Sequence, residues 1–493
     1  MTLSATPPQA DGYVTEIAYL PGYYRELNPS LLTLALNRQG VNAWQRGTPF
    51  TYLELGSGYT LSTLIHAAGH PEGQFIAVDV LPDHIMTARS IAEGAKLDNL
   101  KLIEGSFADL DKMSLPKCDF IAMHGVWSWI NDANRAHILR CIDVCLKPGG
   151  VLFLSYNALP GCAAVLPMRE LMVTHFAAAS GPLPERMASA IALADSFKST
   201  RAGFFANNPM ALKRFEDLKG QPRNYLAHEY FNADWTTFYH EEVAAHLRPL
   251  GLKFVTLAPI FDTLEDFHYS APARELLEQT TDPTLRETLK DFMVDRQFRT
   301  DVLVRDGAVS ANADDLVNTT RFTAVAQPDD VARLTRRTTL GDISPPRAPS
   351  MAVLAALDGK PSTLVELTQH PSLRGAPIHK LARVVSALVG LGAIDVAAEP
   401  LGDEKRADAV RRLNDVLRER NRGGMWAQVN ASVTTGGGIH VSREDQMFFL
   451  AGAEEDPVAA AARLLAEPDD AVRPRYQTFI GQRLPVFARR GVD

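Results

Sequence analysis

The chain has few of the signals that mark several common protein classes. Its 493 residues include only four cysteines, Cys118, Cys141, Cys145 and Cys162, and none forms a C-x-x-C pair. Neither a zinc site nor a disulfide framework is expected from such spacing, and no metal is assigned. Isolated thiols of this kind are read as small buried hydrophobes in a reducing compartment. No apolar run is long enough for a spanning helix. Met1–Asp11 lacks a positive stretch followed by an apolar one, so no signal peptide is expected. Long basic runs are also missing and the net charge is -8, which argues against nucleic acid as a partner. No internal repeat is found. The expectation is a soluble, cytoplasmic protein without a membrane span.

What is present is ordinary globular material. Hydrophobic residues make up 46 % of the chain and charged ones 22 %, enough for more than one buried core. The length suggests roughly two to four domains. Residues 1–45 form a lead-in with a helix over Pro29–Leu36, for which Asn28 is a suitable cap and Pro29 a suitable first residue. From Thr51 to Asn157, apolar strands alternate with amphipathic helices. The strands are expected at Tyr52–Leu55, Gln74–Asp79, Leu100–Glu104, Phe120–His124 and Val151–Ser155. The helices fall near Thr60–Ala68, Pro82–Gly94 and Asn134–Leu146. This is the rhythm of a doubly wound α/β domain, a parallel sheet with helices on both faces, assigned to residues 46–165. Residues 166–225 are helical and read as an insertion, a lid or a contact for a homodimer. Residues 226–323 form a middle domain, in which Leu252–Leu257 could return to the sheet as a sixth strand. Pro328, Pro345, Pro346 and Pro349 mark a linker over 324–350. Residues 351–493 begin with three helices and a strand, a winged-helix-like order. Its charges are balanced, which favours a structural or docking role over DNA reading.

The richest local pattern is Glu54-Leu-Gly56-Ser57-Gly58, at the end of the first strand. Glycine there lets backbone approach a ligand where a Cβ would collide. Asp79 ends the second strand some twenty residues on, where a carboxylate takes the ribose hydroxyls of an adenosine ligand. A dinucleotide fingerprint would need a third glycine, but that position holds Leu61. Glu54 would also repel a pyrophosphate, whereas it suits a sulfonium and an ammonium. The cofactor expected is therefore S-adenosylmethionine. Ser57 and Val80 are counted among its binding residues, as is His124. Ser106 and Phe107, after the third strand, are placed at its adenine, and His124 ends the fourth strand beside the crevice. The Gly436-Gly437-Gly438 run lacks the Lys-Ser/Thr of a phosphate loop and reads as a turn.

The stretches Phe120-Ile-Ala-Met-His-Gly-Val-Trp-Ser-Trp129, Leu146-Lys-Pro-Gly-Gly150 and Ser155-Tyr-Asn-Ala-Leu-Pro-Gly161 resemble one group of proteins. So do Tyr225–Glu241, Arg296–Leu303 and Ala431–Arg443. The group is the bacterial class I methyltransferases that carry a methyltransferase regulatory domain, which includes protein lysine methyltransferases acting on outer-membrane proteins. The resemblance implies a Rossmann-like fold and cofactor binding at Glu54, Gly56, Gly58, Asp79, Ser106 and Phe107. It also implies a substrate crevice near His124, Trp127, Trp129, Tyr156 and Asn157. Thr60 stands where the family's motif has glycine. The lead-in Pro21-Gly-Tyr-Tyr-Arg-Glu-Leu-Asn-Pro29, a segment placed to cover the cofactor, departs from the family's threonine-histidine-proline.

Methyl transfer is an in-line displacement, so holding nucleophile, methyl and sulfur in line is the protein's main task. A lysine acceptor must also lose a proton, and a desolvated aromatic pocket lowers its pKa. Trp127, Trp129, Tyr156 and Tyr239 are the expected walls, with Tyr156 or Asn157 fixing the amine and His124 beside it. Core packing is the competing reading for the tryptophans. The leading expectation is lysine N-methylation of a protein substrate. Transfer to N or O of a small molecule, and a cofactor-binding regulator without catalysis, stand as alternatives.

Overall fold

The computed structural model describes residues 21–400 and 402–492. The first twenty residues, including the segment in which no signal peptide is expected, lie outside the described residues.

A mixed sheet of seven strands forms the centre. The strands are β1 (Phe50–Leu55), β2 (Gly73–Asp79), β3 (Leu100–Glu104), β4 (Cys118–Met123), β5 (Leu146–Asn157), β6 (Leu252–Leu257) and β7 (Phe298–Arg305). Their order across the sheet is β3-β2-β1-β4-β5-β7-β6. The first five run parallel, and β7 lies antiparallel to both β5 and β6. Reversal of the chain on either side of β1 opens a crevice at the C-terminal ends of β1 and β4, where open α/β sheets hold ligands. The strand expected at Leu252–Leu257 does join the sheet, but as its edge. The neighbour of β5 is instead Phe298–Arg305, a strand hidden from sequence patterning because arginine and aspartate interrupt its apolar alternation. Two strands of the middle segment are thus part of the catalytic sheet.

The helices form where their ends are chemically marked. Helix α1 (Pro29–Asn37) has Asn28 at its cap, whose side chain accepts from the Ser30 N–H. Helices α2 (Leu61–Gly69), α3 (Pro82–Gly94) and α4 (Asp132–Cys145) follow β1, β2 and β4, with Asn131 capping α4. The insertion comprises α5 (Leu166–Ala178), α6 (Leu183–Ser199), α7 (Gly203–Asn207), α8 (Pro209–Lys219) and α9 (Arg223–Tyr230). It has its own core of Met172, Met187, Phe205, Phe215 and Phe231. Helix α10 (His240–Leu247) then leads into β6.

The segment expected to be a linker is built into the fold. Its first residue, Ala324, ends β8 (Arg321–Ala324), which is the central strand of a small antiparallel sheet between β9 (Ser362–Thr363) and β10 (Ile394–Val396). A short hairpin, Arg336–Thr338 with Gly341–Ile343, follows. The helices Arg347–Leu357, Leu364–Gln369 and Ile378–Gly390 pack over the small sheet, and Leu31 and Leu34 of α1 share their core. Residues 403–492 touch this unit through Arg490, which pairs with Asp358 and donates to the Val325 and Ala326 carbonyls, and also pack against the central domain. Helix Asp403–Arg420 lies across α2 and α3, with Val410, Leu413 and Leu417 against Leu61, Leu64 and Ile91. Gly436 and Gly437 form a turn and Gly438 opens the short strand Gly438–His440 after it, and the Gly436 carbonyl meets α2 so closely that a Cβ on Gly69 would collide with it. No helix among the described residues is long and apolar enough to cross a membrane.

Candidate active site

A cavity of about 1390 Å³ lies over the C-terminal ends of β1, β2, β4 and β5. Its floor begins at the glycine loop after β1. Gly56 has φ +69°, and a Cβ there would collide with Val126 Cγ2. Gly58 has φ +53°, and the space beside its Cα is open. Both angles lie in the left-handed region that glycine enters without strain. Thr60 also takes a left-handed conformation, at φ 59° and ψ 19°. It does what the glycine of the motif would do, at a steric cost, and its Oγ1 lies 2.9 Å from Ser57 Oγ.

Carboxylates surround this loop. The Gly58 N–H donates to Asp79 Oδ2 at 2.7 Å, and the Leu81 N–H to Asp79 Oδ1 at 3.0 Å. His84 Nδ1 is 3.1 Å from the same oxygen. These bonds fix Asp79 at the rim of the loop. Glu54 is buried and accepts from the Thr63 hydroxyl. Burial pushes its carboxyl up to about 7, the Thr63 bond opposes this, and nearby Asp79 adds to it. Ser57, Val80, Ser106 and Phe107 all line the cavity as expected. Ser106 Oγ donates to Asp109 Oδ2 at 2.7 Å. The described lining carries six carboxyl groups, Glu54, Asp79, Asp83, Glu104, Asp109 and Glu229, and no lysine or arginine. An open glycine cradle ringed by acids fits an adenosyl ligand with a sulfonium and an ammonium.

The other half of the cavity is aromatic. His124 lies under Tyr24, the ring centroids 3.7 Å apart, and Phe298 is 5.7 Å away. Burial holds the His124 imidazole down to about 4, so it is neutral at physiological pH. Trp129 stacks on Trp235 at 5.9 Å. Asn157 lines the cavity, with Tyr225, Glu229 and Tyr230 of α9 forming the opposite wall. The Tyr24 hydroxyl is pushed up to about 12 by burial, with the charges of Glu229 and Glu54 adding to it. That phenol stays protonated.

Three expected site residues are elsewhere. Tyr156 is fully buried on the opposite face of the sheet, because side chains alternate along β5 and Asn157 takes the cavity side. Its hydroxyl donates to Asp301 Oδ2 at 2.8 Å. Asp301 also accepts from Arg299 Nε at 2.7 Å, and Arg299 reaches Asp291 at 2.7 Å and Glu287 at 3.2 Å. This buried network ties the helix Pro283–Val294 to the sheet. Trp127 is also fully buried, in the core beneath the sheet. Tyr239 is on the surface, its ring stacked on Phe292 at 6.0 Å. Conversely, Tyr24, Tyr225, Glu229 and Trp235 line the cavity without being marked as site residues by the sequence. The density of aromatics between Tyr225 and Tyr239 was the available signal, although spacing alone did not say which would face inward.

Two family models match the chain: a methyltransferase domain over residues 49–190 and a predicted methyltransferase regulatory domain over 222–305. An uncharacterized protein of Synechocystis, sll1526, is 34 % identical over 443 residues, covering 90 % of this chain and 87 % of the relative. Among solved structures, PKMT2 from Rickettsia typhi superposes with a TM-score of 0.70 at 16 % identity, covering 96 % of this chain and 100 % of that one. Its complex with AdoHcy gives 0.66 at 17 % identity, covering 94 % and 92 %. The second of the two family models spans β6 and β7, so the regulatory segment completes the sheet that the methyltransferase domain begins. The chain belongs to the family of class I, S-adenosylmethionine-dependent methyltransferases that carry a methyltransferase regulatory domain.

Proposed function

We propose that the protein methylates a cationic amine, the side chain of lysine in a protein substrate. One observation carries this reading: the aromatic half of the cavity contains Glu229, while no lysine or arginine lines any described part of it. An anionic acceptor would find no cationic lysine or arginine among the described lining residues. An ammonium finds a carboxylate and aromatic faces, both of which attract it. The volume also exceeds the roughly 300–1,000 Å³ of a pocket for one small molecule, leaving room for a long side chain beside the cofactor.

Bound S-adenosylmethionine supplies an activated methyl group. The chain's own residues do the rest. Glu229 attracts the ammonium and is the base placed to take its proton, while the walls of Tyr24, Trp129 and Trp235 exclude water and so disfavour the charged amine. The Asn157 side-chain oxygen and the Tyr24 hydroxyl oxygen accept from the amine N–H groups, which leaves the nitrogen lone pair turned toward the methyl. In this reading the insertion is a lid, since α9 supplies one cavity wall. The three-helix unit packs and docks rather than reading nucleic acid, since its Arg383 pairs with Asp266 and Arg321 with Glu366.

That helical cap favours a second reading, a small free amine as acceptor. Labelled S-adenosylmethionine added with the protein to a cell extract separates the two. Alkali-stable label in protein bands is the expected result, and label confined to small molecules would overturn the lysine reading. With an acceptor in hand, Glu229→Gln should raise its KM about tenfold, the loss of one charge-assisted contact, and leave the affinity for AdoHcy unchanged.

A further inference from the structure

Three consecutive residues before α1 reach three separate parts of the molecule. The Tyr24 N–H donates to Ser62 Oγ of α2 at 2.9 Å, and its ring covers His124 in the cavity. The Tyr23 hydroxyl accepts from the Gly438 N–H at 2.7 Å, in the C-terminal glycine turn. The Arg25 guanidinium donates to Asp395 Oδ2 at 3.1 Å and to the carbonyls of Val389 and Ile394, each at 2.8 Å. Those three acceptors belong to the three-helix unit. The backbone at Tyr24 is extended, with φ −114° and ψ 103°. Successive side chains of an extended segment point to opposite sides. Tyr23 and Arg25 can therefore face the C-terminal units while Tyr24 faces the chamber.

No described residue beyond Phe298 lines the cavity. The C-terminal units thus have no direct part in its walls, yet both of them grip the strap that carries Tyr24. We propose that Arg25 and Tyr23 are positioning residues through which the C-terminal region holds Tyr24 over the methyl-transfer chamber. Docking of the two units holds the strap from the side that faces away from the chamber, and that grip seats the Tyr24 ring against His124. The C-terminal region then governs cofactor retention without touching the cofactor. The strap keeps a separate anchor downstream, where the Tyr52 hydroxyl donates to the Leu27 carbonyl at 3.0 Å. Loosening the clamp should free Tyr24 and leave the rest of the fold in place.

The test is a double-mutant cycle on the full chain, read by AdoHcy dissociation rather than by turnover. Arg25→Met should speed AdoHcy release about tenfold, the size of one lost charge-assisted contact, and Tyr24→Ala, which removes the covering ring itself, at least as much. The double variant should release it no faster than Tyr24→Ala alone. Asp395→Asn, nearly isosteric and retaining both carbonyl bonds to Arg25, should show a smaller acceleration that also vanishes in the Tyr24→Ala background. It serves in place of Arg25→Met should that variant not fold. Melting temperatures are measured beside each rate. A lowered melting temperature with unchanged AdoHcy release would make the clamp purely structural and overturn the proposal. Additive effects in the cycle would overturn it too, because Arg25 would then act by a route other than Tyr24.

Discussion

Replacing Glu54 with glutamine removes a charge and keeps the shape. In the folded protein, burial raises this carboxyl from 4.5 to about 7. In the unfolded chain it ionises near its ordinary value. Between those two pH values the folded state holds the proton more tightly, so stability falls as pH rises through that window and levels off above about pH 7. A shift of this size corresponds to roughly 3 kcal/mol. Glutamine carries no such penalty and can still accept from the Thr63 hydroxyl. Glu54→Gln should therefore be the more stable protein at pH 8, by up to about 3 kcal/mol, and close to the parent at pH 5. Urea denaturation of the ligand-free protein at both values measures this. A difference that does not grow with pH, or a less stable variant at pH 8, would refute the reasoning. Cofactor binding should move the other way. An ionised Glu54 favours the cationic ligand, so parent affinity rises through pH 7. The variant should bind S-adenosylmethionine about tenfold to a hundredfold more weakly, with that pH dependence flattened. Stability gained where binding is lost is the usual signature of a group retained for function.

The loop and the sheet give three more expectations. Gly58→Ala should fold at a cost of about 1–2 kcal/mol, since nothing lies within 4 Å of the added methyl but φ +53° strains an alanine, and the methyl on the cradle should weaken AdoHcy binding measurably by calorimetry. Thr60→Val keeps the left-handed strain and loses the Ser57 contact, so it should cost about 1–2 kcal/mol in denaturation, whereas Thr60→Gly should stay within about 1 kcal/mol of the parent. Tyr156→Phe should lower stability by about 1–3 kcal/mol by leaving Asp301 one donor short, while AdoHcy affinity stays unchanged. A loss of cofactor or acceptor binding there would restore Tyr156 to the site.

The first half of the fold was legible because its signals are local. Buried parallel strands read as short apolar runs, and Asn28, Pro29 and Pro82 mark helix starts in the sequence itself. Strand β7 was not legible, since Arg299 and Asp301 look like surface residues. They are buried because Asp291, Glu287, His240 and Tyr156 satisfy them, and those partners come from three other elements. A buried charge is tolerable only when paired, and its pairing is a property of the assembled fold. Within the proline-rich stretch, Pro328 starts the element Pro328–Arg333 and Pro346 caps the helix Arg347–Leu357.

The site divides along the same line. The residues assigned to the cofactor follow strand ends, where sequence position and spatial position coincide, and all of them line the cavity. The acceptor side turned on the parity of one strand. A shift of one residue along β5 exchanges Tyr156 for Asn157, and the sequence around them is apolar on both faces and does not choose. Tyr24 was legible only as part of a segment: the resemblance set Pro21–Pro29 over the cofactor, but nothing periodic says which of its side chains faces inward. What gives Tyr24 a fixed place is that Arg25 meets Asp395 and Tyr23 meets Gly438, contacts spanning 370 and 415 residues. A wall of the active site is therefore specified by residues at the far end of the chain. A truncation that spared every cofactor-binding residue would still remove what holds that wall.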